Sequence, residues 1–418
     1  MGRFRALRWW IIALVTIGTI VNFLSRNSLA VAAPTLKVDL GIDEWHYAWI
    51  TTAFQLGIML QPAVGYVLDT IGLKIGVALF AILWGLITMA HALAGSWMSL
   101  LGLRGLLGAA EGANHPGGMK VVATWFPAKE RGLATGTYNL GASLGSMLAP
   151  PLVGGAILVW NWRGAFVVTG IVCLLWVALW WLFYESPERH RSISAEERAL
   201  IESGQEPYLA ETGERPRIGR LLARRNTWGI ALPRFLADPT WGTLTFWMPL
   251  YLSQARGFDL KHIALFAWMP FVFADLGCLF GPALARWLQK RGLSLVNGRR
   301  WTFTFGALLM TGMMFVGQVS SPYAAIALLC LGGFAHQTLS MSVITLASDL
   351  FPRNEVATVS GIGGTFANCG LMLFSLAIGG LVTTIGYAPF FVALGLLDLL
   401  AAVLLWTLVR EPEEARRV

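Results

Sequence analysis

The sequence predicts an all-α membrane protein in which twelve transmembrane helices form two pseudo-symmetric six-helix bundles. Three observations lead there: an apolar composition, twelve apolar segments of spanning length, and an internal repeat relating the first six to the last six. Of 418 residues, 56% are hydrophobic and only 13% charged, with a mean hydropathy of +0.62. That leaves too little polar surface to coat a soluble globule. The segments lie at about 9–31, 46–68, 74–94, 97–119, 133–159, 163–184, 228–253, 262–289, 299–319, 322–347, 356–384 and 387–409. Each is long enough to cross a hydrocarbon core about 30 Å thick.

Between the sixth and seventh segments, Glu185 to Thr227 holds eight Arg together with Pro207 and Pro216, so it reads as a polar linker. The expected division is an N-terminal bundle over 1–184, a cytoplasmic linker over 185–227 and a C-terminal bundle over 228–418. The repeat supports it. W-F-P-A-K-E-R-G-L-A-T-G at 125–136 recurs as L-F-P-R-N-E-V-A-T-V-S-G at 350–361, an offset of 225. The same offset relates Gly145 to Gly370 and Gly154-Gly155 to Gly379-Gly380. An offset that skips six spans implies parallel repeats about an axis along the membrane normal, with a site between them near the midplane.

Charge sets the orientation. Of 31 Lys and Arg, only Lys37, Arg163, Arg256 and Lys261 fall on one set of alternating loops, and Arg26, Arg104 and Arg234 lie within spans. The remaining 24 sit on the other side, which places both termini and the linker in the cytoplasm. The opening M-G-R-F-R-A-L-R-W-W looks like a signal-peptide start, but no small-residue cleavage site follows, so an uncleaved first span is expected. Cys173, Cys278, Cys330 and Cys369 fall in apolar segments without paired spacing, which suggests neither disulfides nor a metal cluster. No cofactor is expected beyond a coupling proton.

The fourth segment carries R-G-L-L-G-A-A-E-G-A-N-H-P from Arg104 to Pro116. Arg104 and Glu111 are nearly two helical turns apart on one face, about 10 Å along the axis, so they are expected to lean together. Ionised groups near the bilayer centre are costly, so the pair should face an interior cavity. Gly108 and Gly112 on the same stripe leave room for another helix backbone or for a ligand. The offset matches Glu111 with His336 and Arg104 with Leu329, so this charged pair is expected in one half only.

Twelve spans in six plus six, with G-Y-V-L-D-T-I-G-L-K at 65–74 and its degenerate echo from Gly281 to Gly292, resemble the major facilitator superfamily. The Arg104-to-Pro116 run, S-R-N-S-L-A-V-A-A-P-T-L from Ser25 and the W-F-P-A-K-E-R-G loop resemble its anion:cation symporter family. G-I-A-L-P-R-F-L-A-D-P-T-W-G-T at 229–243 and F-A-W-M-P-F-V-F-A-D-L-G-C at 266–278 are similar to bacterial hexuronate transporters for glucuronate and galacturonate. The resemblance implies proton symport of a sugar acid by alternating access across a bacterial inner membrane. Arg26 is implied to bind the substrate carboxylate, Glu111 to couple the proton, Arg104 to interact with Glu111, and Asn368 to contact sugar hydroxyls. Where several family members carry aspartate before the first-span arginine, this chain has Ser25, so a second proton site is not carried over.

The physics agrees with that assignment. Moving an anion into an inside-negative cell costs about 2.3 kcal/mol per 100 mV, so uphill uptake needs accompanying cations. A planar guanidinium grips a carboxylate with two hydrogen bonds. Protonated Glu111 would leave the cavity more positive and favour capture of the anion on Arg26, unless Arg26 serves a structural ion pair instead.

Other candidates keep two readings. His336 is either a proton relay or a satisfied core histidine. Asp238, one turn from Arg234, reads as a structural pair, whereas Asp275 lacks such a neighbour and can join the coupling network. Gln55, Gln61 and Asn139 offer hydroxyl contacts or glue helices together. Of nineteen tryptophans most sit at span ends as anchors, while Trp241 and Trp247 lie deeper and can face a sugar. Gly65, Asp69 and Lys74, in the loop after the second span, are expected to gate conformation rather than bind substrate.

Two other function classes compare poorly. The same scaffold could carry an aldonate or an aromatic acid. A sensor would need a soluble output domain that the linker is too short to supply, and an enzyme would need a nucleophile, metal set or phosphate cradle: no H-E-x-x-H or P-loop string occurs, and the G-x-S-x-G string at 141–145, G-A-S-L-G, lies inside the fifth apolar segment rather than on a strand-to-helix turn. The expected partners are a small sugar acid and the lipid bilayer, with no nucleic acid, and the protein is expected to be a monomer.

Overall fold

In hydrocarbon every backbone N–H and C=O must be satisfied within its own segment, and helices meet that demand. The computed structural model describes residues 6–205, 217–258, 262 and 265–411, and every regular element among them is helical. Lys261, Pro207 and Pro216 lie outside the described residues. Seven helices are long and apolar enough to cross a membrane. The other expected spans are interrupted, and proline accounts for most of the interruptions.

Two compact units divide the chain. The first comprises Met1–Ile218 with Phe351–Gly361, the second Gly219–Leu350 with Ile362–Val418. In the first unit, α1 (Leu7–Leu40) is continuous through Pro34. The second span is broken into α2 (Glu44–Ile58) and α3 (Gln61–Ile71), followed by α4 (Leu73–Ala90). The fourth span is α5 (Trp97–Glu111) and α6 (Asn114–Trp125), and it breaks where Pro116 offers no N–H to the Gly112 carbonyl. The fifth and sixth spans run together as α7 (Ala128–Phe183), which turns at Asn161 with φ 60°. Its side-chain oxygen accepts the N–H groups of Arg163 at 2.9 Å and Gly164 at 3.3 Å, the local bonding that lets asparagine adopt such a φ. Helix α1 packs along α7, and α2 along α5.

Unit 1 reaches beyond residue 184 because the linker docks. Helix α8 (Ala195–Ser203) is capped by Ser194. Its Glu197 accepts the backbone N–H of Leu7 at 2.8 Å and pairs with the Arg8 guanidinium at 2.9 Å, closing the exposed start of α1. The linker is therefore more than a spacer.

In the second unit, α9 (Ile218–Ala223) leads to the seventh span. That span is α10 (Arg225–Ala237), α11 (Pro239–Gly242), a π-helical turn over Thr243–Trp247 and α12 (Met248–Gln254). Pro239 withdraws the donor that the Phe235 carbonyl would receive in a regular helix, and Gly370 seats against that carbonyl. The eighth to twelfth spans are α13 (Met269–Lys290), α14 (Leu295–Met310), α15 (Pro322–Leu350), α16 (Val356–Ile385) and α17 (Ala388–Leu408). Helix α15 packs on α13 and α14, and α17 on α10 and α14.

The glycine stripe of the fourth span has a definite partner. A Cβ on Gly108 would collide with the Phe54 carbonyl, and one on Gly57 with the Gly105 carbonyl, so α2 and α5 touch backbone to backbone. The stripe accommodates a helix, not a ligand. Gly108→Leu is expected to lower the unfolding midpoint in detergent by several degrees, from overpacking of about 1–3 kcal/mol. Gly102→Ala, with open space around the site, should leave the midpoint unchanged.

Candidate functional site

In unit 1, Arg26 projects from mid-α1 and Glu111 ends α5. Arg26 Nε donates to Glu111 Oε2 at 3.3 Å, and its Nη2 to Asn22 Oδ1, one turn back, at 3.4 Å. The guanidinium carbon lies 4.5 Å from the Phe23 ring centre and 5.2 Å from that of Phe54, a cation–π cradle. The Arg26 side chain keeps 27% of its surface open, whereas that of Glu111 keeps none. One Glu111 oxygen, Oε1, has no hydrogen-bond partner. The buried carboxylate is thus left with half its acceptors idle.

Arg104 acts on Glu111 through its charge rather than through a direct ion pair. The ion pair of Glu111 is with Arg26 on another helix, while both Arg104 terminal nitrogens donate to the Arg26 backbone carbonyl at 3.4 Å. Two turns of separation along α5 leave Arg104 nearer to α1 than to Glu111, with its guanidinium carbon 5.7 Å from the Phe54 ring centre. Arg104 thus holds the backbone that carries Arg26. Ser25, where relatives were noted to carry aspartate, bonds to Thr88 at 2.8 Å. Gln55 is half-buried on α2 beside Phe54, and Asn139, half-buried on α7, has partners of its own.

Asp69 lies on α3 rather than in a loop, with its side chain fully buried. Its carboxylate accepts from the Thr358 N–H at 2.7 Å, the Thr358 hydroxyl at 2.6 Å and the Ala357 N–H at 3.3 Å, and it pairs with Lys120 at 2.9 Å. It therefore neutralises the first turn of α16, where helix N–H groups lack partners. Gly65, one turn earlier, seats against the Ala357 carbonyl. Lys74 is elsewhere: it pairs with Glu185 at 2.8 Å and lies over Trp181, so it ties the start of α4 to the end of α7. Its hydrogen bond holds the Glu185 carboxyl below the usual carboxylate range.

Unit 2 brings a second set together. Asp238 Oδ2 lies 3.4 Å from Arg234 Nη2, and Asp238 Oδ1 lies 3.7 Å from His336 Nε2. Trp241 stacks on the His336 ring with centroids 6.1 Å apart and meets Phe271 edge-on. His336 is buried, and its Nδ1 has no partner, which does not fit a satisfied core histidine. Asp238 is shared between Arg234 and His336 rather than being a simple two-residue pair. Trp247 donates to Ser375 at 2.8 Å and packs on α16, so it supports the helix instead of presenting a face. Asn368 donates to the Gly364 carbonyl of its own helix at 2.8 Å. Asp275, half-buried on α13, has partners of its own.

Three residues escaped the sequence reading. Asn22 is the i−4 partner of Arg26, and only its spacing could have signalled it. Lys120 is buried against Asp69 although it was counted among loop cations. Asp398 is a fully buried acid in α17, visible in the sequence as a lone charge within L-L-D-L-L.

Comparison with known proteins agrees with this architecture. The model of the Major Facilitator Superfamily matches residues 15–297 and 293–418. A hexuronate transporter of Escherichia coli (strain K12) is 47% identical over 416 residues, covering 98% of this chain and 96% of that protein. A galacturonate transporter of Dickeya chrysanthemi is 48% identical over 330 residues, covering 78% and 96%. Among solved structures, the proton:xylose symporter XylE superposes with a TM-score of 0.74 at 17% identity, covering 98% of this chain and 97% of that one. With both halves matched, the chain belongs to the Major Facilitator Superfamily and is a multi-pass membrane transporter.

Proposed function

We propose that this protein imports hexuronates, glucuronate and galacturonate, by proton symport across the bacterial inner membrane, with both termini in the cytoplasm. The observation that carries the reading is the Arg26–Glu111 pair at 3.3 Å, in which the arginine stays partly open while the acid is sealed. A guanidinium offers one bidentate edge well suited to a carboxylate. While Glu111 is ionised it competes for Arg26. When Glu111 takes a proton, that competition ends and Arg26 can turn its fork to a uronate carboxylate. Proton and anion therefore load together, and the proton offsets the charge the substrate carries against the membrane potential.

Arg104 fixes the pose of Arg26 through its carbonyl. Gln55, Asn139 and Asn368 supply hydroxyl contacts, and Trp241 offers an aromatic face to the sugar ring. Gly65, Asp69 and Lys74 set the conformational balance. The high identity to a hexuronate and a galacturonate transporter supports the substrate class.

The decisive experiment is uptake of labelled glucuronate, galacturonate and glucose into proteoliposomes with and without an inward proton gradient. Uronate should accumulate only with the gradient and glucose should not; uptake of an aldonate without uronate would reassign the substrate. Glu111→Gln should abolish accumulation yet keep counterflow exchange, and loss of exchange would remove Glu111 from the coupling role. Arg26→Lys loses the bidentate grip, so uronate affinity should fall roughly 10- to 100-fold, from about 1.5–3 kcal/mol of charged hydrogen bonding. Asp69→Asn should leave uronate affinity within about twofold while changing the transport rate, because it alters the capping of α16 and not the site.

A further inference from the structure

The Arg26–Glu111 pair of unit 1 and the Asp238–His336 contact of unit 2 exchange the places of acid and base. Phe23-Leu24-Ser25-Arg26 recurs as Phe235-Leu236-Ala237-Asp238, an offset of 212. Each ends in a charged residue that bonds to its i−4 neighbour, Arg26 to Asn22 and Asp238 to Arg234. Each also meets the residue that the 225 offset equates on the fourth and tenth spans, Arg26 meeting Glu111 and Asp238 meeting His336. Unit 1 thus sets a cation on the first span against an acid. Unit 2 sets an acid on the seventh span against a base.

Asp398 stands where the same offset places Cys173, so unit 2 has gained an acid at a position that is apolar in unit 1. Both of its carboxylate oxygens are buried without a hydrogen-bond partner. An ionised carboxylate in that setting would have no compensating hydrogen bond. The groups around it are few. Helix α17 carries no other charge, and the turn Thr311–Phe315 packed on it carries none. Helix α10 presents Arg225, bonded to the Thr407 carbonyl, and Arg234, paired with Asp238 at its end. Helix α14 presents Arg299, paired with Asp349, and Arg300, bonded to Asn297. His336 has as further neighbours on its packed elements Asp275, Cys278, Arg286 and Lys290 of α13, and Tyr323, Cys330 and Asp349 of its own helix. Of these buried acids and bases, Asp398 lacks any partner and His336 retains an unpartnered Nδ1.

We propose that unit 2 carries a transported proton of its own on Asp398. The proposal rests on the proton-coupled uptake argued above. The step makes and breaks only the carboxyl O–H bond: water on the uptake side supplies the proton, and water on the release side receives it. With one proton on Glu111 and one on Asp398, each uronate monoanion enters with a net charge of +1, so transport moves current. With Glu111 alone the cycle would be electroneutral.

The test is uronate-evoked current from proteoliposomes on a solid-supported membrane, read beside gradient-driven accumulation and counterflow. Wild type should give an inward positive current. Asp398→Asn, and Asp398→Cys, which installs the residue of the other repeat, should lose the current while keeping counterflow and proton-driven uptake. A carboxylic C=O band in the infrared spectrum of wild type should vanish in Asp398→Asn. Proton-driven but electroneutral uptake by wild type, or undiminished current in both Asp398 variants, would overturn the second proton and leave the proposed function intact. Uptake indifferent to the proton gradient would overturn both.

Discussion

A guanidinium placed in the middle of an apolar bundle has to be answered by something, and in unit 1 the answer is shared among three helices. Glu111 supplies the charge, Asn22 and the rings of Phe23 and Phe54 supply the cradle, and Arg104 holds the carbonyl behind it. That arrangement requires α1, α2 and α5 to approach closely. The backbone-to-backbone contact of α2 with α5 through Gly57 and Gly108 makes the approach possible. With larger side chains at those glycines, Phe54 could not lie beneath both arginines.

Much of this was legible in the sequence, for definite reasons. Hydrophobicity declared the spans, because lipid leaves helical segments little alternative. The 225 offset declared the repeat, and its pair Gly145 and Gly370 each seat against a helix carbonyl, those of Ile20 and Phe235. Arg26, Glu111 and His336 were conspicuous as charged or ionisable groups in apolar runs. Their partners were not. The Arg104-to-Glu111 spacing satisfied a helical rule, yet pairing across helices won, because α1 offered Glu111 a nearer cation than its own helix did. Lys74 stood out by its motif, but its partner Glu185 lies more than a hundred residues away and was not legible from it. Asp398 was missed because a lone acid hardly lowers the average hydropathy of a long apolar segment.

Unit 2 differs from unit 1 in what its polar groups leave unfinished. Around the Arg26–Glu111 pair of unit 1 the open valences include one oxygen of Glu111, Nε of Arg104 and Nδ2 of Asn22. In unit 2 a whole carboxyl group is unanswered, and the histidine near Asp238 has a nitrogen to spare. Unsatisfied buried groups are expensive, so such sites persist where another state of the molecule satisfies them.

The exchange of acid and base between the two units also bears on how the molecule came about. A scaffold assembled from two copies of one half would begin with the same residue at each pair of positions the 225 offset equates, Arg104 with Leu329, Glu111 with His336 and Cys173 with Asp398. The glycines and turn motifs still match across the repeat, whereas these charged positions do not. The helical frame therefore dates from the duplication, and the division of labour between its halves is younger than the frame.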